Sequence, residues 1–236
     1  MKTETLAALR DARAAGTAAV RFVRLADGAE ALLVGDTVAS GTLALDATLR
    51  AAAASALRSD RGTVAETPAG QVFVEPFNPP LRLVVVGAVH ITQGLAPMAQ
   101  MAGYQVTVVD PRQAFASAER FPGMALSTDW PDEALEALAP DARTAVVTLT
   151  HDPKLDDPAL DRALRSPAFY VAALGSRKTH AARLERLGAL GHDAAALARI
   201  HGPAGLPLGA ATPAEIAVSV LAEMTQVLRQ PQRGGS

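Results

Sequence analysis

Leu81-Arg82-Leu83-Val84-Val85-Val86-Gly87-Ala88-Val89-His90 is the stretch on which the reading of this chain turns. Leu81 to Val86 is apolar almost without a break and shows no alternation. That is the pattern of a central parallel strand covered on both faces. Gly87 ends it where a sharp turn needs a residue without a side chain. A helix is predicted from His90 to Ala102, with Gly103 as its C-terminal cap. A second strand, Tyr104 to Val109, runs into Asp110.

Strand, glycine turn, helix, strand and an acid about twenty residues on form the outline of a Rossmann-type nucleotide site. Val89 stands where that fingerprint has its second glycine, and Thr92 where it has a third glycine or an alanine. A β-branched valine resists positive φ and places two methyl groups near a pyrophosphate's path. On this motif alone a bare scaffold and a working NAD(P) site of an oxidoreductase both stay open.

The 236 residues suit one large or two small domains, and 49% hydrophobic content is ample for a core. A net charge of −2 with 19% charged residues does not favour nucleic-acid binding, which calls for a basic face. The absence of cysteine excludes disulfides, thiolate metal sites and cysteine nucleophiles, and fits a reducing compartment. Met1-Lys2-Thr3-Glu4-Thr5 lacks the apolar run of a signal peptide, and no stretch is long and apolar enough to span a bilayer. The expected setting is the cytoplasm.

The fold class expected is α/β: a Rossmann-like parallel-sheet domain with a small N-terminal α/β domain. Residues 1–78 are assigned to the small domain, 81–229 to the large one, and 230–236 to a disordered tail. In the small domain, Thr5 to Ala15 reads as a helix with Leu6 and Leu9 inward. Ala18 to Leu25 and Glu30 to Val34 form a hairpin around Asp27-Gly28. Leu43 to Leu57 is a second helix, and Thr63–Glu66 with Gln71–Glu75 a second hairpin. Pro76-Phe77-Asn78-Pro79-Pro80 reads as a stiff linker. The limited core of this unit makes a homodimer the expected assembly. Beyond Asp110, strands are predicted at Met124–Ser127, Thr144–Thr150 and Phe169–Leu174. Helices are predicted at Asp132–Leu138, at Pro158–Leu164 with Asp157 as cap, and from Lys178 to about Leu187. Thr212-Pro213-Ala214-Glu215 is a full capping box, opening a last helix to about Leu228 with Ile216, Val220 and Val227 inward.

Alternating strands and helices imply a parallel sheet with right-handed crossovers, whose ligands bind beyond the carboxyl ends of the strands. The polar motifs fall at those ends. Gly87 and His90 follow one strand, Asp110, Pro111 and Arg112 the next. Thr150, His151 and Asp152 follow another, and Gly175, Ser176, Arg177 and Lys178 the last. Gly175-Ser176-Arg177-Lys178 is the anion candidate, because free N–H groups at a helix start favour a phosphate or carboxylate; its plainer alternative is a serine cap followed by solvated cations. Asp110 is placed to accept ribose hydroxyls, or is a turn aspartate before proline. Arg112 is placed to meet a phosphate or to pair with Asp110. His151 with Asp152 is a candidate acid–base pair, or a sheet-edge cap. His180, His192 and His201 lack partners at ligand spacing, and no HExxH, GxSxG or Walker motif occurs.

In order along the chain stand Phe73-Val74-Glu75-Pro76-Phe77, Val86-Gly87-Ala88-Val89-His90, Val108-Val109-Asp110-Pro111-Arg112 and Thr150-His151-Asp152. Leu174-Gly175-Ser176-Arg177-Lys178, Ile200-His201-Gly202-Pro203-Ala204-Gly205-Leu206 and Thr212-Pro213-Ala214-Glu215-Ile216-Ala217 follow. Taken together, these segments resemble the XdhC/CoxI family, the xanthine dehydrogenase accessory factors, from about Phe73 to Met224. The resemblance implies an accessory protein rather than an enzyme. It implies binding of molybdenum cofactor (molybdopterin, a pterin with a phosphate), help in acquiring its terminal sulfur, and insertion into an apo-enzyme of the xanthine dehydrogenase or aldehyde oxidase type. It also implies a link to cysteine desulfurases, since a chain without cysteine carries no persulfide of its own. The cofactor-binding residues would be Gly87, His90, Asp110, Arg112, Thr150, His151, Asp152, Gly175, Ser176 and Arg177, with no protein-bound metal ion. The family's turn is usually Gly-Ala-Gly-His, with Val89 here replacing its second glycine. The family's Ser-Gly-Gly-Cys-x-Glu segment is matched only by Ser40-Gly41-Thr42-Leu43-Ala44-Leu45.

Overall fold

A computed structural model describes residues 1–230; the expectation of a disordered tail falls, beyond Gln230, outside the described residues. The chain divides into two compact units, Met1–Pro79 and Pro80–Ser236.

The first unit is an antiparallel sheet with a helix on each face. Its elements are α1 (Thr3–Ala14), β1 (Ala19–Arg24), β2 (Glu30–Val34), β3 (Thr37–Gly41), α2 (Ala47–Ser59), β4 (Thr63–Thr67) and β5 (Gly70–Phe77), with strand order β3-β2-β1-β5-β4. Alternation along the strands sends Val20, Phe22, Leu33, Val72 and Val74 to one face, under Leu49, Ala53 and Ala56 of α2. Ala19 and Leu32 face the other way, against Ala12 of α1. Both predicted hairpins form. Four expectations need correction, the first being the second helix, which starts at Ala47 behind an Asp46 cap rather than at Leu43. Pro76 and Phe77 close β5 rather than belonging to a linker. Leu6 is 53% exposed, while Thr5 and Ala12 take the inward positions of α1. Thr5 turns inward because its hydroxyl donates to the buried carboxylate of Glu30 at 2.9 Å. Edge strand β3 was not expected, and its mostly exposed, unpatterned residues explain why.

The second unit holds β6 (Leu81–Val86), α3 (His90–Met101), β7 (Tyr104–Val109), β8 (Ala125–Ser127), α4 (Pro131–Leu138), β9 (Thr144–Thr148), α5 (Pro153–Leu164), β10 (Tyr170–Ala173), α6 (Arg177–Ala189), α7 (Ala194–Leu197), β11 (Ile200–His201) and α8 (Pro213–Arg229). Its strands are parallel throughout and run in the order β11-β10-β9-β6-β7-β8. Counted from β6 this is the 3-2-1-4-5-6 order of a dinucleotide-binding sheet, with the reversal between β6 and β9. The α/β class and Rossmann-like architecture read from the sequence are therefore present.

Strand β6 explains its own unbroken apolar run. Leu83 and Val85 face the layer containing α3 and α8, and Val84 and Val86 face the layer of α4, α5 and α6. All four are essentially inaccessible, and each such burial stabilises the fold by about 1.5–3 kcal/mol. Helix α8 begins with the expected capping box: Thr212 Oγ1 accepts from the Glu215 N–H while the Glu215 carboxylate accepts from the Thr212 N–H. Helix α5 starts earlier than expected. Pro153 takes its first position and Asp152, not Asp157, caps it by accepting from the Lys154 N–H at 2.9 Å. Pro158 lies one turn in, where it withholds a hydrogen bond only from the Lys154 carbonyl. Asp157 instead pairs with Arg186 of α6.

Candidate functional site

Six parallel strands end on one edge, and the loops leaving β6, β7, β9 and β10 carry the polar residues singled out from the sequence. The tightest part is the turn after β6. Gly87 adopts φ +114, and a Cβ there would lie 2.7 Å from Thr150 Cγ2 and 3.3 Å from the Thr150 nitrogen. Only glycine fits both that backbone and that gap, so the ends of β6 and β9 close on one another at the reversal point. Val89 is not strained. It stands before α3 with φ −97 and ψ 176, an extended backbone where a β-branched residue is at home, which removes the conformational objection raised by the fingerprint. Thr92 Oγ1 donates to the Gly87 carbonyl and is buried, so the residue in the third glycine position ties down the turn. His90 opens α3 and is exposed.

Asp110 takes the turn reading. It is fully buried, and both carboxylate oxygens are engaged. Oδ2 accepts from the Ala88 N–H at 2.8 Å and from Arg112 Nη2 at 2.7 Å, while Oδ1 accepts from the Arg112 N–H at 3.0 Å and Arg112 Nε at 2.8 Å. Burial pushes the carboxyl up, but the Arg112 guanidinium and the two backbone N–H groups outweigh it and hold it below the usual aspartate value. The ribose role has no solvent-facing oxygen to use. Arg112 lies 4.6 Å over the ring of Phe115, and Arg120 donates to the Ala88 carbonyl at 2.8 Å, so the loop after β7 is fastened onto the turn after β6.

At the end of β9, His151 is exposed and holds a left-handed backbone, φ 64, uncommon for a residue with a side chain. Asp152 is committed to capping α5, and among the described residues no hydrogen bond joins it to His151. The expected acid–base pair is not assembled. Thr150 instead donates to Asp156 Oδ1 at 2.7 Å. Asp152 and Asp156 both act on Arg112, raising its pKa behind the larger effect of Asp110, so the β7 and β9 loops share one field.

At the end of β10, Gly175 has φ +143 and a Cβ would press on Thr179 at 3.2 Å. Ser176 caps α6 by accepting from the Thr179 N–H at 3.1 Å. Arg177 and Lys178 follow, exposed, and their own N–H groups point out of the helix start. Beneath them lies a pair the sequence reading missed. Arg183 of α6 and Asp156 of α5 are 2% and 1% exposed and stand 3.6 Å apart. Burial pushes the Asp156 carboxyl up, against the Thr150 hydroxyl and Arg183, and pushes the Arg183 guanidinium down. The available signal was a charge on each helix's inward stripe: Asp156 with Leu160 and Ala163, Arg183 with Leu187.

Asp110 and Ser176 thus sit at the same end of the sheet, on strands separated by β6 and β9, roughly 14 Å apart by strand spacing. The rim offers backbone donors, a helix start and cations on one flank, and no group of metal-ligating side chains occurs among the described residues. No helix among them is long and apolar enough to cross a membrane.

Comparison with known proteins places these loops in context. Residues 83–224 match the XdhC Rossmann domain. YqeB, an uncharacterized protein of Escherichia coli (strain K12), is 34% identical over 158 residues, covering 66% of this chain and 29% of YqeB. The molybdenum cofactor insertion chaperone PaoD of the same organism is 33% identical over 155 residues, 66% of this chain and 42% of PaoD. A probable xanthine dehydrogenase subunit of Bacillus subtilis (strain 168) is 31% identical over 160 residues, covering 67% of this chain and 46% of the subunit. The chain spans less than half the length of each of these relatives. A crystal structure described as a xanthine dehydrogenase from Bacillus halodurans shares the fold, with a TM-score of 0.74 at 21% identity over 100% of this chain and 68% of that one. With the matched segment taking in the turn after β6 and the loops leaving β7, β9 and β10, this chain belongs to the XdhC family.

Proposed function

We propose that this chain binds molybdenum cofactor at the strand-end rim and assists its maturation and insertion into an apo-enzyme of the xanthine dehydrogenase or aldehyde oxidase type. The observation that carries the reading is an overlap. The segment that aligns with the family is the one whose loops build the rim, and one aligned relative is named a molybdenum cofactor insertion chaperone. The rim's chemistry suits that cargo. A phosphate finds the α6 start beside Arg177 and Lys178. Gly175, Ser176, Arg112, His90 and His151 line the approach; Asp110 and Asp152 act through the turns they hold.

The chain has no cysteine, so it offers the molybdenum no thiolate and no persulfide. Sulfur then comes from a partner, for which a cysteine desulfurase is the chemically suited source. The role is that of a carrier, working in the cytoplasm, as a homodimer. An NAD(P) oxidoreductase is disfavoured, since Asp110, the residue that would take the ribose, is enclosed by Ala88 and Arg112.

The test is mass spectrometry of small molecules retained after gentle purification from cofactor-replete cells, with activation of a purified apo-molybdoenzyme as second readout. Retained molybdopterin and faster activation support the reading. Retained NAD(P), or neither ligand nor activation, overturns it.

A further inference from the structure

On the sheet face covered by α5 and α6, a buried ion pair, Arg183 with Asp156 at 3.6 Å, lies under the ends of β9 and β10. Asp156 Oδ2 and Arg183 Nε and Nη1 are buried atoms with no hydrogen-bond partner among the described residues. Buried polar groups are ordinarily satisfied, so a buried guanidinium with two unpartnered nitrogens asks for a reason. Arg183 spends Nη2 on the Leu174 carbonyl at 2.9 Å and leans on Asp156 at 3.6 Å, leaving its other donors idle.

The guanidinium lies directly under the turn that opens α6. Leu174, whose carbonyl it holds, precedes Gly175, and a Cβ on Gly175 would be 3.8 Å from Nη2. The outer side of that turn carries the Ser176 cap and the outward N–H groups of Arg177 and Lys178. A helix start with a cation of full charge beneath it and a glycine between them is laid out for an oxyanion.

We infer that Arg183 is the buried cationic floor of a phosphate-monoester site at the start of α6, and that Asp156 is the counter-ion holding the guanidinium when no phosphate is bound. The site deepens the reading above, which rests on a phosphate-bearing cargo at this rim. Asp156 and the phosphate compete for one guanidinium. Removing the carboxylate's charge therefore strengthens phosphate binding, whereas a purely structural ion pair gives no such gain.

The experiment is a calorimetric titration of the full chain with inorganic phosphate, with the Arg183 Nε–H resonance followed by NMR. The Asp156→Asn variant keeps an acceptor for Thr150 and should bind phosphate at least about threefold more tightly. Arg183→Met alone strands Asp156, so the loss is tested in the paired Asp156→Leu/Arg183→Met variant, which removes both charges at similar volume. That variant should stay folded by circular dichroism and bind phosphate about tenfold or more weakly, the scale of one charge-assisted hydrogen bond. Wild-type affinity in the paired variant, unchanged or weaker binding in Asp156→Asn, or an Arg183 resonance unmoved by phosphate overturns the inference. The two readings fail separately. Phosphate binding that depends on Arg183, without molybdopterin retention, sinks the cofactor reading alone. Molybdopterin retention by a chain that ignores phosphate sinks the Arg183 site alone.

Discussion

Replacing Asp110 tests the most constrained group at the rim. Its two oxygens receive four N–H groups, from Ala88 and from the main chain and side chain of Arg112. Asn retains one acceptor oxygen. That oxygen belongs with Ala88, which is fully buried, while Arg112 is 40% exposed and water replaces what it loses. Asp110→Asn should therefore cost about 1–2 kcal/mol. Asp110→Ala abandons the Ala88 N–H in a site closed to water and opens a small void, for a total of about 2–4 kcal/mol. At about 2–4 °C per kcal/mol for a chain of this size, the alanine variant should melt about 4–16 °C lower. The pH dependence has a fixed sign. A carboxyl whose folded pKa is depressed contributes stability that is fully present above its unfolded value near 4 and is lost as pH falls through the lowered folded value. The melting-temperature gap between wild type and Asp110→Asn should thus be constant from about pH 7 to 5 and shrink below about pH 4. Differential scanning calorimetry across that range decides it. An alanine variant that melts with the wild type, or a gap that persists undiminished in acid, refutes the account in which Asp110 holds the turn.

Gly87→Ala should destabilise by about 2–4 kcal/mol, from positive φ and contact with the Thr150 methyl group; Thr150→Ser in the same chain should restore part of the melting temperature, and no recovery would remove that contact as a cause. In the first unit, Arg21, then the Lys2 N–H, together with the Thr5 hydroxyl hold the Glu30 carboxyl at about 2, against the opposing effect of burial. Its stabilisation is complete above about pH 4.5 and disappears as pH falls toward 2; Glu30→Gln should cost about 3 kcal/mol at neutral pH and flatten the acid limb of a denaturation curve. Tyr170 donates to Glu223 Oε2 at 2.5 Å, and burial, followed by that carboxylate, raises its pKa, so ultraviolet titration of the native chain should leave this phenol un-ionised at alkaline pH where an exposed tyrosine has lost its proton. Tyr170→Phe should cost about 1.5–3 kcal/mol in chemical denaturation, the worth of a hydrogen bond to a charged acceptor.

Much of this architecture is written locally. The apolar run of β6, the glycine after it and the capping box of α8 are each decided within a few neighbouring residues, because strand burial, turn geometry and helix capping are short-range matters. Alternation of strands and helices then orders the motifs along one edge, so the location of the rim was legible too. The use of each residue there was not. Asp110 reads equally as ribose acceptor or turn aspartate until Ala88 and Arg112 are seen around it. Val89 reads as an obstruction until its backbone proves extended. Asp152 reads as half of a proton-transfer pair until it is found capping α5, ahead of the aspartate expected to do so. Asp156 and Arg183 stand 27 positions apart on different helices and meet only because both helices pack on one face of the sheet. Local propensity selects elements and the order of their loops. Which charges face each other, and which are thereby used up, depends on long-range packing that no window of the chain contains.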